Sequence, residues 1–403
     1  MPSLASSREI KAGDPSAVTP LFSSDPEFRF LLACCAVSQP DSVYDRDGRQ
    51  DLDWQRVLLL AEHHGVTPLV YRALRDVAEG IPPSIQDELR ERYEHNARRN
   101  LVFVGELVRV LDCLEAHAID AIPYKGPVLA EAVYGDLALR EFYDLDVLLR
   151  PADFARATEA LKSLSYVPNV QLSSAQQRAY LRSGYECAFD GPLGKNLLEM
   201  QWAIVPRFFS VNFDVERFFQ RATLTKIGDH PVKTLCAEDL LLTLCVHAAK
   251  HGWVRLCWLR DIASLSQLSD LDWDRVLADA KTLGILRIVT VSLTLAARLL
   301  GVNIPDSVAG RIQMDATIPK LSDRIAADIP ESEAYSTESL EYFRLMMKLR
   351  EHLSDRLRFG ARLAFTPSVG EWEVVNLPAP LSPLYHVVRL FRVAERLLSL
   401  RSN

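Results

Sequence analysis

The sequence contains no apolar run approaching the roughly 18 residues that a membrane span requires, so a membrane-crossing helix is not expected. Its seven cysteines form no C-x-x-C pair and are odd in number, lying in apolar segments such as Leu31-Leu32-Ala33-Cys34-Cys35 and Leu244-Cys245-Val246. That usage disfavours a disulfide framework or a zinc ribbon and points to reduced, buried thiols in a cytoplasmic protein. Positive charge is also short: 46 Lys and Arg against 53 Asp and Glu leave a net charge of -7. A nucleic-acid partner would therefore need a local basic patch, and Arg90 to Arg99 offers only a modest one. No G-x-S-x-G, Walker loop or G-x-G-x-x-G stands at a convincing strand-to-helix junction, and no internal repeat is visible. The first 25 residues are rich in Ser and Pro and lack the apolar centre of a signal peptide, which predicts a loose N-terminus.

What remains is an ordinary globular composition, 48% hydrophobic and 25% charged, in a chain of 403 residues, long enough for two or three packed units. From Pro26 to about residue 118 the apolar spacing is helical, ending in a long helix from about Ser84 to His117. The pattern changes over 119–236. Ile119 to Tyr124 reads as a strand, Lys125-Gly126-Pro127 as a turn and Val128 to Tyr134 as a helix. A second strand carries Tyr143 to Leu149, and a helix follows from Phe154 to Leu164. Glu186 to Phe189 and Leu197 to Ile204 then flank a hairpin loop at Asp190 to Gly194. From 237 to 403 the pattern is helical again: Asp239–Lys250, Arg255–Leu265, Trp273–Leu283, Leu286–Leu300, Asp306–Lys320 and Ser339–Arg358. A Pro-rich connection over 376–383 leads to a closing basic helix, Tyr385–Leu400. The fold class is α+β, a small mixed sheet with a helical region on each side.

Within the second strand, Asp144 and Asp146 are set two apart in an otherwise apolar run, so both should point to one face. Like charges held together in apolar surroundings raise each other's pKa unless something positive lies between them, and a divalent cation is the natural candidate. Glu199 in Leu197-Leu198-Glu199-Met200-Gln201 is a third lone charge in an apolar strand. Three hard oxygen ligands on adjacent strands suit Mg2+ or Mn2+ and phosphoryl or nucleotidyl transfer. The alternative for Glu199 is a partner for Arg140 or Arg207. Lys125, just after a strand and beside Gly126, is placed to receive phosphate oxygens, or else is a solvated turn lysine. Arg140 could neutralise phosphate charge or pair with Glu141 or Asp136. His247 and His251 lie four apart on one helical face, and Asp261 reads as a polar contact between helices.

Lys125-Gly126, Leu129, Tyr134-Gly135-Asp136, Leu139-Arg140 and Asp144-Leu145-Asp146-Val147-Leu148-Leu149 followed by Pro151 resemble the core motif of the bacterial "uncharacterised nucleotidyltransferase" family, a branch of the polymerase-beta-type superfamily. The likeness extends to Ala61-Glu62-His63-His64-Gly65, Leu198-Glu199-Met200-Gln201-Trp202, His247 to Trp253 with Trp258 and Asp261, and Leu377-Pro378 with Tyr385 and Arg389. The resemblance implies that Asp144, Asp146 and Glu199 are catalytic and bind Mg2+ (or Mn2+). It also implies that Lys125, Gly126, Arg140, Lys250 and His251 bind an NTP, ATP among the candidates. The implied activity is transfer of an NMP group to a hydroxyl, phosphate or amine with release of pyrophosphate. Two departures stand out: Lys125-Gly126-Pro127 replaces the superfamily's Gly-Ser, and Glu199-Met200-Gln201 replaces a frequent Glu-x-His. They keep open the alternative of a catalytically degenerate module that binds nucleotide or a protein.

Overall fold

The computed structural model describes residues 25–37, 51–77, 80–170, 173–330, 339–366, 375, 381 and 384–399. The N-terminal 24 residues, Leu377-Pro378 and most of the Pro-rich connection lie outside them. The first two helices start where the sequence supplies a cap. Asp25 accepts from the Phe28 N–H (3.1 Å) ahead of Pro26–Cys34. Asp53 does the same for Trp54–His64, which Gly65 ends in the left-handed conformation. After Thr67–Leu74, the long helix runs from Pro83 to Ala116, its proline in the first turn where no N–H is required.

The long helix leads into a five-stranded mixed sheet: β1 (Ala121–Pro123), β2 (Leu145–Leu149), β3 (Val167–Pro168), β4 (Glu186–Gly191) and β5 (Gly194–Gln201), in the spatial order β1-β2-β5-β4-β3. β2 runs parallel to β5, while β1–β2, β5–β4 and β4–β3 are antiparallel. The long connection between the parallel strands carries the helices Phe154–Leu161 and Ser174–Ser183 together with β3 and β4, which add to the same sheet. β2 is buried along its whole length. Its odd residues Leu145, Val147 and Leu149 join Leu198, Met200 and Phe189 in a core closed by Phe103, Leu107, Val110 and Leu114 of the long helix. Leu148, Ile122 and Tyr124 face the other way, into a second and larger core. The hairpin β6 (Thr223–Ile227) and β7 (His230–Thr234) flanks β1, with Thr234 Oγ1 donating to Pro123 O (2.9 Å). This hairpin and the short β3 were not anticipated.

The second core contains helices from both ends of the described chain: Phe28, Leu58 and Leu69 pack in it with Leu241, Ile262 and Val291. The two helical regions are thus one cluster covering the sheet's other face. Two expected helices divide. Asp306–Lys320 becomes Asp306–Met314 and Thr317–Asp328, because Asp315, paired with Arg287 (2.7 Å), accepts from Thr317 N and starts the second helix. Ser339–Arg358 becomes Leu340–Leu349 and Leu353–Phe365, since Arg350 is extended and its carbonyl accepts from Arg287 and Arg356 side chains instead of a helical N–H. The basic helix closes the described chain as Tyr385–Ser399.

A buried ion pair ties the chain entering β2 to the helical cluster. Arg140 Nε and Nη2 hold Asp261 at 3.0–3.1 Å, and Tyr134 donates its hydroxyl to the same carboxylate (2.7 Å). The Arg140 carbonyl is held in turn by Asn96 and Asn100 of the long helix (3.3 and 2.9 Å). Removing one member strands the other's charge in the interior, whereas removing both does not. Asp261→Ala is expected to cost about 3–5 kcal/mol in denaturant unfolding, and Arg140→Met with Asp261→Leu much less. Equal losses in the single and double variants would contradict this role for the pair.

Candidate active site

Strand register assembles the site. Asp146 lies opposite Glu199 and Leu148 opposite Gln201 across the β2–β5 pair, while Glu186 lies opposite Gln201 and Ala188 opposite Glu199 across β4–β5. Opposed residues share a face, so Asp146, Glu199, Gln201 and Glu186 all project toward the helical cluster, away from the long helix. Asp144 sits immediately before β2. The structure thus brings the three expected carboxylates to one place and adds a fourth, Glu186, together with Gln201, Tyr124 and Tyr185.

Two lysines face this acidic patch. Lys125 follows β1 and its Nζ lies 2.7 Å from Asp146 Oδ1. Burial alone would lower its pKa, but Asp146, with Asp144, outweighs burial and holds the ammonium well above its usual range. Gly126 lets the turn pass this closely. Its φ is +55°, and a Cβ there would lie 3.3 Å from the Asp144 carbonyl oxygen. From the opposite side Lys250, at the end of the helix Ala237–Lys250, donates to Tyr185 Oη (3.0 Å) and lies 4.7 Å from that ring's centre. Burial lowers the Lys250 pKa, opposed by Glu186, Glu199 and Asp146. The chain then turns tightly through Gly252 and Trp253, both at positive φ. Trp253 is fully buried and its indole N–H donates to Ser292 Oγ (2.9 Å), which fixes the turn and with it the helix end.

The remaining negative charge is imperfectly neutralised. Burial and then Asp146 push Asp144 up to about 6, against Lys125 and Arg140. Burial, Asp146, Glu186 and Asp144 push Glu199 up to about 8. These are the shifts of oxygen donors short of a positive charge. Among the described residues no three His, Cys, Asp or Glu side chains are already gathered around an ion-sized position. What the structure does supply is hard donors on one face with uncompensated charge, which fits a divalent cation.

The other expected residues divide. His251 is near the site, packed against Trp258 and His247 (ring centres 5.1 and 4.9 Å apart), and burial with the nearby Lys250 pushes it down to about 3, leaving a neutral imidazole. Arg140 is bound to Asp261, not to Glu141, Asp136 or Glu199, because the π-helical turn Ala130–Tyr134 just before it packs against the helix Leu256–Leu265. Its guanidinium reaches the site as field acting on Asp144. Arg207 donates to the Arg182 carbonyl (3.5 Å), also away from Glu199. Glu186 and Gln201 carried a weak sequence signal as polar residues in an apolar strand pattern, whereas Tyr124 and Tyr185 looked like core aromatics.

A family model described as "Uncharacterised nucleotidyltransferase" matches residues 50–301, more than half of the chain and the whole of the site. Neither the curated proteins nor the solved structures gave a match. No helix among the described residues is long and apolar enough to cross a membrane.

The raised Glu199 carboxyl has a consequence for stability in chelator-treated protein. Its folded value near 8 exceeds the unfolded value, so folding retains a proton that the unfolded chain releases. The wild type should therefore lose stability as pH rises from about 4.5 to 8. Glu199→Gln should lack this loss, being close to wild type at pH 4.5 and more stable by up to about 4 kcal/mol at pH 8. Parallel stability–pH curves for the two proteins would refute the shift.

Proposed function

The chain belongs to the uncharacterised nucleotidyltransferase family, and from that premise we propose that it transfers an NMP group, AMP for example, from an NTP to a hydroxyl, phosphate or amine acceptor, releasing pyrophosphate. The observation that carries this reading is the pairing of Asp146 with Glu199 on adjacent parallel strands, with Asp144 at the strand entrance and Lys125 against them. In this reading Asp144, Asp146 and Glu199 hold Mg2+ or Mn2+. The bound ion supplies neutralisation of triphosphate charge and polarisation of the reacting oxygens.

The chain's own groups do the rest. Lys125, now against Asp146, is within reach to donate to a phosphate oxygen instead, and Gly126 lets the triphosphate approach the backbone. Lys250, whose ammonium among the described residues donates to the Tyr185 phenol, takes a second anionic group from the helical side. The packed rings of His247, His251 and Trp258 keep water from that flank. The acceptor atom bonds to the alpha-phosphorus as the bond to pyrophosphate breaks, and the acceptor's proton passes to the carboxylate cluster. Arg140 is best read as structural support for the Asp144 strand through Asp261.

A second reading, nucleotide binding without transfer, draws on the Lys125–Asp146 contact, which occupies the phosphate-facing lysine. Incubation with each labelled NTP, Mg2+ or Mn2+ and host extract separates the two. Transfer predicts labelled product and pyrophosphate from the wild type, reduced about 10²–10³-fold in Asp146→Asn. A nucleotide- and ion-dependent rise in melting temperature with no labelled product supports the binding module. Ion affinity unchanged in both Asp144→Asn and Asp146→Asn would remove the site assignment.

A further inference from the structure

Gln201 is 2% exposed and lies at the centre of the acidic face. Its Nε2 donates to Asp146 Oδ1 at 2.9 Å and lies 3.3 Å from both Glu186 Oε2 and Glu199 Oε2. An amide nitrogen has two protons, so three carboxylates compete for two donors. The amide's orientation is dictated from behind: Tyr124, 1% exposed, donates its hydroxyl to Gln201 Oε1. A reversed amide would turn its oxygen toward three carboxylates and leave the phenol proton without an acceptor in the interior.

The hydrogen bonds on Asp146 are one-sided. Oδ1 receives both Lys125 Nζ and Gln201 Nε2, while Oδ2 has no hydrogen-bond partner among the described residues. One oxygen is anchored and the other is left available. If Glu199 is drawn toward an ion, the two amide protons remain satisfied by Asp146 and Glu186, so that movement costs Gln201 no hydrogen bond.

We propose that Tyr124 and Gln201 form a relay of positioning residues, in which the phenol orients the amide and the amide holds Asp146, Glu199 and Glu186 in an ion-ready arrangement. Neither residue touches the ion or the nucleotide. This rests on the metal-site reading above and extends it to two neutral residues outside the carboxylate set. Outer groups that orient ligands typically change ion affinity about 10–100-fold when removed.

The test is titration of nucleotide-free protein with Mn2+ alone, read by calorimetry or by the electron-spin signal of free Mn2+. Gln201→Leu should weaken Mn2+ binding about 10–100-fold, and Tyr124→Phe, which removes one hydroxyl and keeps the ring in the core, about 3–10-fold. Because Tyr124 acts through the amide, the double variant should bind like Gln201→Leu alone. Affinities within twofold of wild type in Tyr124→Phe, or losses that simply add in the double variant, overturn the relay. Should Gln201→Leu fail to fold, Tyr124→Phe alone still decides. Asp146→Asn separates the two levels: if it abolishes binding while Tyr124→Phe has no effect, only the relay fails. If the wild type binds no Mn2+, or Asp146→Asn binds as well as wild type, the metal-site reading and the relay fall together.

Discussion

Four carboxyl groups, those of Asp144, Asp146, Glu186 and Glu199, share one face of a small sheet, and their mutual repulsion constrains everything built around them. Like charges a few ångströms apart in a partly buried site repel by several kcal/mol even at an effective dielectric constant near 20. The fold meets that cost with Lys125 at direct contact, the Gln201 amide, and the nearby Lys250 at the end of its helix. It meets it incompletely, as the raised Asp144 and Glu199 values show. An acidic face left short of positive charge favours an incoming cation.

The helical cluster makes such a face tolerable. Its opposite side is an apolar sheet surface packed on the long helix, so β2 is buried throughout and cannot shift its register without exposing Leu145, Val147 and Leu149. The carboxylates are therefore tied to a rigid register. Above them, the buried turn at Trp253 fixes the end of the helix that carries Lys250, and the Arg140–Asp261 pair fixes the next helix, Leu256–Leu265. Rigid strands below and a clamped helix above are what a site needs to hold reacting groups in line.

The parts of this arrangement that depend on short-range patterning were legible in the sequence. Asp144, Asp146 and Glu199 stood out because a lone charge in an apolar strand is costly unless it has a task, and Lys125-Gly126 because a lysine beside a turn glycine can approach phosphate. The helices from Ala237 to Leu300 fall close to where their periodicity placed them. The β6–β7 hairpin was less visible, although Gly228-Asp229 marks a two-residue turn, because Pro231 weakens the second strand's signature. The partner of Arg140 was not legible at all. Asp261 is 121 residues away, while Glu141 and Asp136 were nearer candidates along the chain.

Sequence by itself therefore determined the local elements, the α+β class and the candidate carboxylates Asp144, Asp146 and Glu199, since capping, turn preference and alternation act over a few residues. Tertiary structure alone decided that Glu186 and Gln201 join those carboxylates, that Tyr124 orients the amide, and that the N- and C-terminal helices close one core. Those outcomes depend on which strands become neighbours and in which register, and strand order follows from burying the sheet's apolar face as a whole rather than from any single segment.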